Sequence, residues 1–266
     1  MFKHNPIMKA KKSFGQHFLN KEQIAQDIAF ALNQKEAYDA IVEVGPGKGM
    51  LTKYLMEHKM HQLKVIEADR DMVAYLTQHY PTLFPSIIAE DFLKVNLSEV
   101  HQGSFALIGN FPYNISSQIV FKMLEHKEQI PEMVGMFQKE VAERIVSGPN
   151  KKSYGILSVL VQAFYDVEYL FTIGPEHFTP PPKVQSAVIR LSRKKNFKNL
   201  GCPEKRLRAV VKAAFGMRRK MLRNSMKQFL PKNVIFAQEL FTKRPENLSV
   251  QDYVSLTNLV IEHSPI

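Results

Sequence analysis

The hydrophobic pattern of this 266-residue chain changes character twice. Short apolar runs recur through its first half: "AIVEV" (40–44), "LKVIEA" (63–68), "SIIAED" (86–91), "FALIGN" (105–110) and "MVGMFQ" (133–138). None alternates with polar residues, so each predicts a strand buried on both faces. Helical patterns lie between them, as in "GMLTKYLMEH", where Leu51, Tyr54 and Leu55 share a face. Strands alternating with helices predict an α/β fold with a doubly wound, Rossmann-like sheet. Ahead of it, residues 1 to about 38 read as a basic arm and a helix carrying Ile24, Ile28, Ala31 and Leu32 on one side.

The order then changes. "DVEYLFTIG" and "KVQSAVIRLSR" flank the proline-rich "PEHFTPPP", with no room for a helix, and predict an antiparallel hairpin at the sheet edge. From about Asn196 the pattern is helical, punctuated by Pro203, Pro231 and Pro245. Two domains are expected: a sheet domain over 1–195 and a small all-α domain over 196–266.

Composition narrows the class. The chain is 45% hydrophobic, enough for a well-buried core. Its single cysteine, Cys202, excludes an internal disulfide and a cysteine-based zinc site, and no metal is expected. The longest apolar runs, such as "GILSVLVQAF", fall short of the roughly 20 residues that span a bilayer. The N-terminus lacks the apolar stretch of a signal peptide, so a cytoplasmic protein with no membrane partner is expected. No dimer stripe is evident, which suggests a monomer.

Charge changes the picture more. The net charge is +11, and residues 183–227 hold 15 Lys and Arg against one acid, Glu204. The remainder holds 21 basic and 24 acidic residues. An excess confined to one block points to a polyanion, most simply nucleic acid.

The candidate chemistry lies in the sheet half. "VEVGPGKGMLT" (42–52) sets Gly45, Gly47 and Gly49 between a strand and a helix, where glycines permit sharp turns and close ligand approach. The spacing is not that of dinucleotide binders, and Pro46 removes an N–H that a pyrophosphate would use. Glu67 follows a strand 20 residues after Gly47, where a carboxylate accepts from ribose hydroxyls. Asp69 suits a helix N-cap. Asp91 is placed for an adenine amine, with Phe92 beside it. With Glu43, these acids cluster at strand ends and suit a nucleoside without pyrophosphate, of which S-adenosylmethionine is the common example.

Six blocks in order, "SFGQHFL", "VEVGPGKGMLT", "AEDFL", "IGNFPYNIS", "FTPPPKVQSAVIRL" and "AAFGMRRKMLRNSM", resemble the ribosomal RNA adenine N6-dimethyltransferases, particularly the bacterial small-subunit enzymes. The resemblance covers residues 13 to about 226. It implies that His17, Leu19, Gly45, Glu67, Asp91 and Asn110 hold S-adenosyl-L-methionine. It also implies dimethylation of two adjacent adenosines in a hairpin loop near the 3′ end of small-subunit rRNA, on the assembling ribosomal subunit. Two positions depart from the pattern. His17 stands where many relatives have asparagine, and Phe111 where Leu or Ile is commoner.

The exocyclic amine of adenine is a poor nucleophile, because its lone pair is delocalised into the ring. Acceptors at the Asn110 side-chain oxygen and the Pro112 carbonyl would favour its pyramidal form. Tyr113 offers a stacking face, worth roughly 1–3 kcal/mol per base, and Phe178 is a candidate for the opposite face. The target base must be flipped out or taken from a loop. Arg218, Arg219, Lys220, Arg223 and Lys227 are the expected RNA grip, with Lys220, Arg223 and Lys227 on one helical face. Ala214, Met217 and Met221 form an apolar stripe expected to pack on the sheet domain. A large-subunit rRNA methyltransferase and a binding protein that has lost catalysis are the alternatives.

Overall fold

The apolar runs form the centre of a seven-stranded sheet in the computed structural model, which describes residues 11, 15–57 and 62–263. Most of the expected N-terminal basic arm, including Ser13 and Phe14 of "SFGQHFL", and His58 of "GMLTKYLMEH" lie outside the described residues. The strands are β1 (Phe18–Leu19), β2 (Ala40–Val44), β3 (Gln62–Ile66), β4 (Ile87–Ile88), β5 (Phe105–Asn110), β6 (Glu132–Gln138), β7 (Tyr165–Ile173), β8 (Phe178–Thr179) and β9 (Ser186–Arg193). In the large sheet they run β4-β3-β2-β5-β6-β9-β7. β2 lies parallel to both β3 and β5, β3 to β4, and β5 to β6. β9 is antiparallel to β6 along its length, from Glu132↔Ser192 to Gln138↔Ser186, and β7 takes the edge. Every residue of β2 is buried, as are all but the last of β5 and β6, which is why these strands read as unbroken apolar runs.

Chain order reverses between β2 and β5. The strands after β2 build outward on one side, while β5 and β6 occupy the other. Open α/β sheets form a crevice at such a point, beyond the carboxyl ends of the strands. Gly45 directly follows β2 and Asn110 ends β5, so both stand at that crevice. The expected third strand is shorter than its apolar run. β4 stops at Ile88, the N–H of Glu90 turns back to the Ile88 carbonyl, and Asp91 lies beyond the strand in a turn.

The helices are α1 (Glu22–Ala29), α2 (Thr52–Leu55), α3 (Arg70–His79), α4 (Leu97–Val100), α5 (Ser116–Glu125), α6 (Lys139–Val146), α7 (Ile156–Gln162), α8 (Glu204–Gly216), α9 (Leu222–Ser225), α10 (Lys232–Phe236) and α11 (Val250–His263). The proline punctuation holds, since Pro203 and Pro231 are the N-cap residues of α8 and α10. Pro245 opens a 3-10 turn.

Two features departed from the pattern. β1 and β8, two residues each, pair as a separate antiparallel sheet through Phe18↔Thr179 and Leu19↔Phe178. Strands that short carry no readable period. The chain also divides into two compact units, Met1–Ala142 with Glu168–Ser192, and Glu143–Val167 with Arg193–Ile266. This differs from the single boundary expected after residue 195. The physical reason is α7, whose residues are mostly buried and which packs with α8 and α11. A helix apolar on every side must be covered on every side.

Candidate active site

A cavity of about 550 Å³ lies in the first unit at the crevice, lined by the segment 15–19, the glycine loop after β2 and the turns after β3, β4 and β5. That volume suits a nucleoside-sized ligand.

The glycine loop is shaped by its backbone. Gly45, Gly47 and Gly49 have φ values of 67°, 56° and 78°, a region that residues with a Cβ adopt at a cost. A Cβ at Gly47 would also come within 3.0 Å of the Phe18 ring. The loop is tied to the next strand by Glu67, whose Oε2 accepts the Gly47 N–H at 3.1 Å and whose Oε1 accepts the Asp69 N–H at 2.8 Å. Burial pushes the Glu67 carboxyl up, and these backbone donors offset part of the rise. The carboxylate keeps lone-pair capacity for a ligand hydroxyl beside these donors.

Glu43 is more deeply buried. Its Oε2 accepts the Thr52 hydroxyl at 2.7 Å. Burial drives its carboxyl up to about 8, with the neighbouring charge of Glu67 adding to the rise and Thr52 opposing it. Asp69 is the N-cap of α3, accepting the Asp71 N–H at 3.0 Å. It also binds Lys11 Nζ at 2.6 Å and Gln16 Nε2 at 3.0 Å. Burial pushes this carboxyl up, but the three donors outweigh it and leave it below its ordinary value. Asp91 lines the cavity while its Oδ1 accepts the Leu93 N–H at 2.9 Å. Phe92 lines it too, with the Lys122 ammonium 5.1 Å from its ring centre.

The turn after β5 carries the other half. Asn110 donates its amide nitrogen to the His17 carbonyl at 3.0 Å. A carbonyl only accepts, so the amide orientation is set and Oδ1 is the acceptor left to the cavity. The Pro112 carbonyl accepts the Ile115 N–H at 3.2 Å, which closes the turn and leaves one lone pair. The Tyr113 hydroxyl meets Ser186 Oγ at 2.5 Å, and burial raises its pKa. The His17 ring stacks on Tyr113 with centroids 5.3 Å apart. Leu19, paired with Phe178, completes the wall.

Phe111 is a core residue. Its ring is edge-on to Phe137 at 5.2 Å and lies over two facing glycines, Gly109 and Gly135, paired across β5 and β6. A Cβ at Gly135 would fall 2.2 Å from the Phe111 ring. The aromatic side chain therefore fits because the adjacent strands carry no side chains there.

The structure thus gathers His17, Leu19, Gly45, Glu67, Asp91, Asn110, Pro112 and Tyr113 around one cavity. It does not bring Phe178 there. Phe178 is 2% exposed and lies in the core cluster with Leu19, Ile28 and Val188. Sequence reasoning missed Gln16 and Lys11, which reach Asp69, and Tyr80, whose ring stands against Gly49 and whose hydroxyl donates to the Gly49 carbonyl at 3.2 Å. Gln16 and Tyr80 line the cavity, whereas Lys11 is placed by its bond to Asp69.

In the second unit the basic segment is not one helix. α8 ends at Gly216, residues 217–220 form a turn, and α9 starts at Leu222. Lys220, Arg223 and Lys227 therefore share no continuous helical face. Ala214 is buried, but Met217 and Met221 are 48% and 39% exposed, so the three do not form the continuous buried stripe expected to pack on the sheet domain. Arg218 is held within the unit, pairing with Glu246 at 3.0 Å and donating to the Lys152 carbonyl. Arg219, Lys220 and Lys227 are exposed.

Known proteins similar to this chain fall in one family. The family model described as "Ribosomal RNA adenine dimethylase" matches residues 7–262. A "Ribosomal RNA small subunit methyltransferase A" of Cytophaga hutchinsonii is 53% identical, covering 95% of this chain and 98% of the relative. Its namesake in Bacteroides thetaiotaomicron is 54% identical, covering 96% of each. The fold matches a dimethyladenosine transferase from Plasmodium falciparum with a TM-score of 0.76 at 22% identity, over 92% of this chain and 98% of that one. It also matches the 23S rRNA methyltransferase ErmE with a TM-score of 0.69 at 22% identity, over 91% and 99%. With its acids, glycine loop and asparagine turn meeting in one cavity, the chain belongs to the ribosomal RNA adenine dimethylase family.

Proposed function

We propose that this rRNA adenine methyltransferase moves methyl groups from S-adenosylmethionine to N6 of two adjacent adenosines, each twice, in a hairpin loop near the 3′ end of small-subunit rRNA. The assembling small subunit is its partner. One observation carries the reading: the oriented Asn110 amide and the Pro112–Tyr113 turn open into the same cavity as Gly45 and Glu67.

The residues fit the cofactor. Gly45 and Gly47 present backbone without side chains, Glu67 retains lone pairs for ribose hydroxyls, and Asp91 with Phe92 suits an adenine. Leu19 forms part of the facing wall. When bound, S-adenosylmethionine supplies a methyl group on a positively charged sulfonium, an activated leaving group.

The chain's own work is positioning. In the first transfer, Asn110 Oδ1 and the remaining lone pair of the Pro112 carbonyl each accept one N–H of the target amine, which draws its nitrogen toward tetrahedral geometry. In the second, the single N–H left on the monomethylated amine is accepted by one of the two. Tyr113 holds the flipped base against its ring. Ser186 fixes the phenol, so the ring is oriented before the base arrives. In the second unit, Arg219, Lys220 and Lys227 face solvent and suit phosphate contacts, with Arg223 half-buried beside them.

The test is incubation with labelled S-adenosylmethionine and unmethylated small ribosomal subunits, followed by mapping of the label. Two adjacent dimethylated adenosines near the 3′ end are expected. Label in large-subunit rRNA or in DNA overturns the proposal.

A further inference from the structure

His17 makes three contacts that all bear on the turn after β5. Its carbonyl accepts the Asn110 amide at 3.0 Å. Its imidazole stacks on Tyr113, with ring planes 27° apart. Its Nδ1 lies 2.8 Å from the Pro180 carbonyl. Because that carbonyl can only accept, Nδ1 donates to it, and the ring is pinned in one orientation.

We infer that His17 is a positioning residue for the target base: its ring is a fixed platform that backs one face of Tyr113 and leaves the other for adenine. This rests on the assignment of Asn110, Pro112 and Tyr113 to the target amine, and departs from the cofactor contact implied by family resemblance. The backbone of residue 17 serves Asn110 whatever the side chain. The side chain alone reaches Tyr113 and Pro180. Tyr113 is then held at both ends, by Ser186 at its hydroxyl and by His17 at its face. Asparagine at this position could still reach the Pro180 carbonyl through its amide but offers no ring, so the histidine form of the site differs from the commoner one in how tightly it presents Tyr113.

The role predicts a split between two kinetic constants. His17→Asn removes the stack and retains a polar group, whereas His17→Phe retains a ring and loses the bond to Pro180. With saturating unmethylated subunits, kcat of His17→Asn should fall about tenfold, since misplaced reacting groups act on the chemical step. His17→Phe should stay within about threefold of the parent, and the KM for S-adenosylmethionine should move less than about twofold in both. Calorimetric binding of S-adenosylhomocysteine, measured without RNA, should be unchanged in both variants.

A rise in the cofactor KM with kcat kept, or loss of S-adenosylhomocysteine binding, makes His17 a cofactor ligand and overturns the inference. So does an unchanged kcat in His17→Asn, or a His17→Phe enzyme as slow as the asparagine variant. An unmutated protein that methylates no rRNA instead defeats the functional reading, a separate outcome scored before either variant is measured.

Discussion

The cavity wall and the basic segment of residues 217–227 were both conspicuous in the sequence, and their construction differs. At the cavity, nearly every chemically notable group is engaged by a second one: Glu67 by two backbone N–H groups, Glu43 by Thr52, Asn110 by His17, Tyr113 by Ser186. In the basic segment, Arg218 is held by Glu246 and the Lys152 carbonyl, while Arg219, Lys220 and Lys227 project into solvent. Chemistry on a weak nucleophile depends on tenths of an ångström and needs preset groups. Attraction to phosphate works at longer range and tolerates mobile cations.

That contrast sets the expected scale of substitutions. Asn110→Ala should have the largest effect, lowering methyl transfer at least about 100-fold while rRNA binding persists, as read by label incorporation and a binding titration. Equal loss of both would erase the distinction between the two regions.

Packing beneath the turn comes next. Gly135→Ala should cost about 1–3 kcal/mol in a denaturant melt, because its Cβ would collide with the Phe111 and Phe137 rings. Phe111→Leu in the same chain should return part of that loss. Independent, additive effects would separate Phe111 from the glycine pair.

The buried acids of the sheet unit give a pH signature. Glu43 has a folded pKa of about 8 against an ordinary value of 4.5. Its contribution is fully present below the ordinary carboxylate range and is lost as pH rises from there through about 8. The slope from this group reaches at most about 1.4 kcal/mol per pH unit. Glu43→Gln keeps an acceptor for Thr52 and should flatten that slope in melts across the window. Asp69 has the opposite sign: its depressed pKa gives stability present above the ordinary range and lost as pH falls through the folded value. A Glu43→Gln profile parallel to the parent would remove Glu43 from the account.

Smallest are the surface cations. Arg219→Ala and Lys220→Ala should each reduce the salt slope of RNA binding by about 0.7, the contribution of one contact to a single strand. Arg218→Ala should instead cost about 1 kcal/mol of stability or less. If all three change the slope alike, the distinction between a held and a free cation fails.

Much of this architecture was legible beforehand. β2, β5 and β6 appeared at nearly their true bounds because strands buried on both faces cannot hide their apolar character. Pro203 and Pro231 marked helix starts because the ring cannot donate the bond that a preceding turn would need. The site residues were legible as residue types at strand ends, although which atoms face the ligand was not. Phe178 shows the limit: beside "TPPP" it looked available for stacking, yet its pairing with Leu19 buries it. The basic segment shows another, since charge spacing suggested a continuous helix that ends at Gly216.

Sequence alone therefore determined the alternation of strands and helices, the glycine loop, the family motifs and the location of the excess charge. These follow from local pattern, which each segment carries by itself. Tertiary structure decided the β1–β8 pairing, the inclusion of residues 143–167 in the second unit, the glycine bed under Phe111 and the stack of His17 on Tyr113. Each of these joins residues distant in the chain, whose meeting depends on how strands and loops pack, and no local period encodes that.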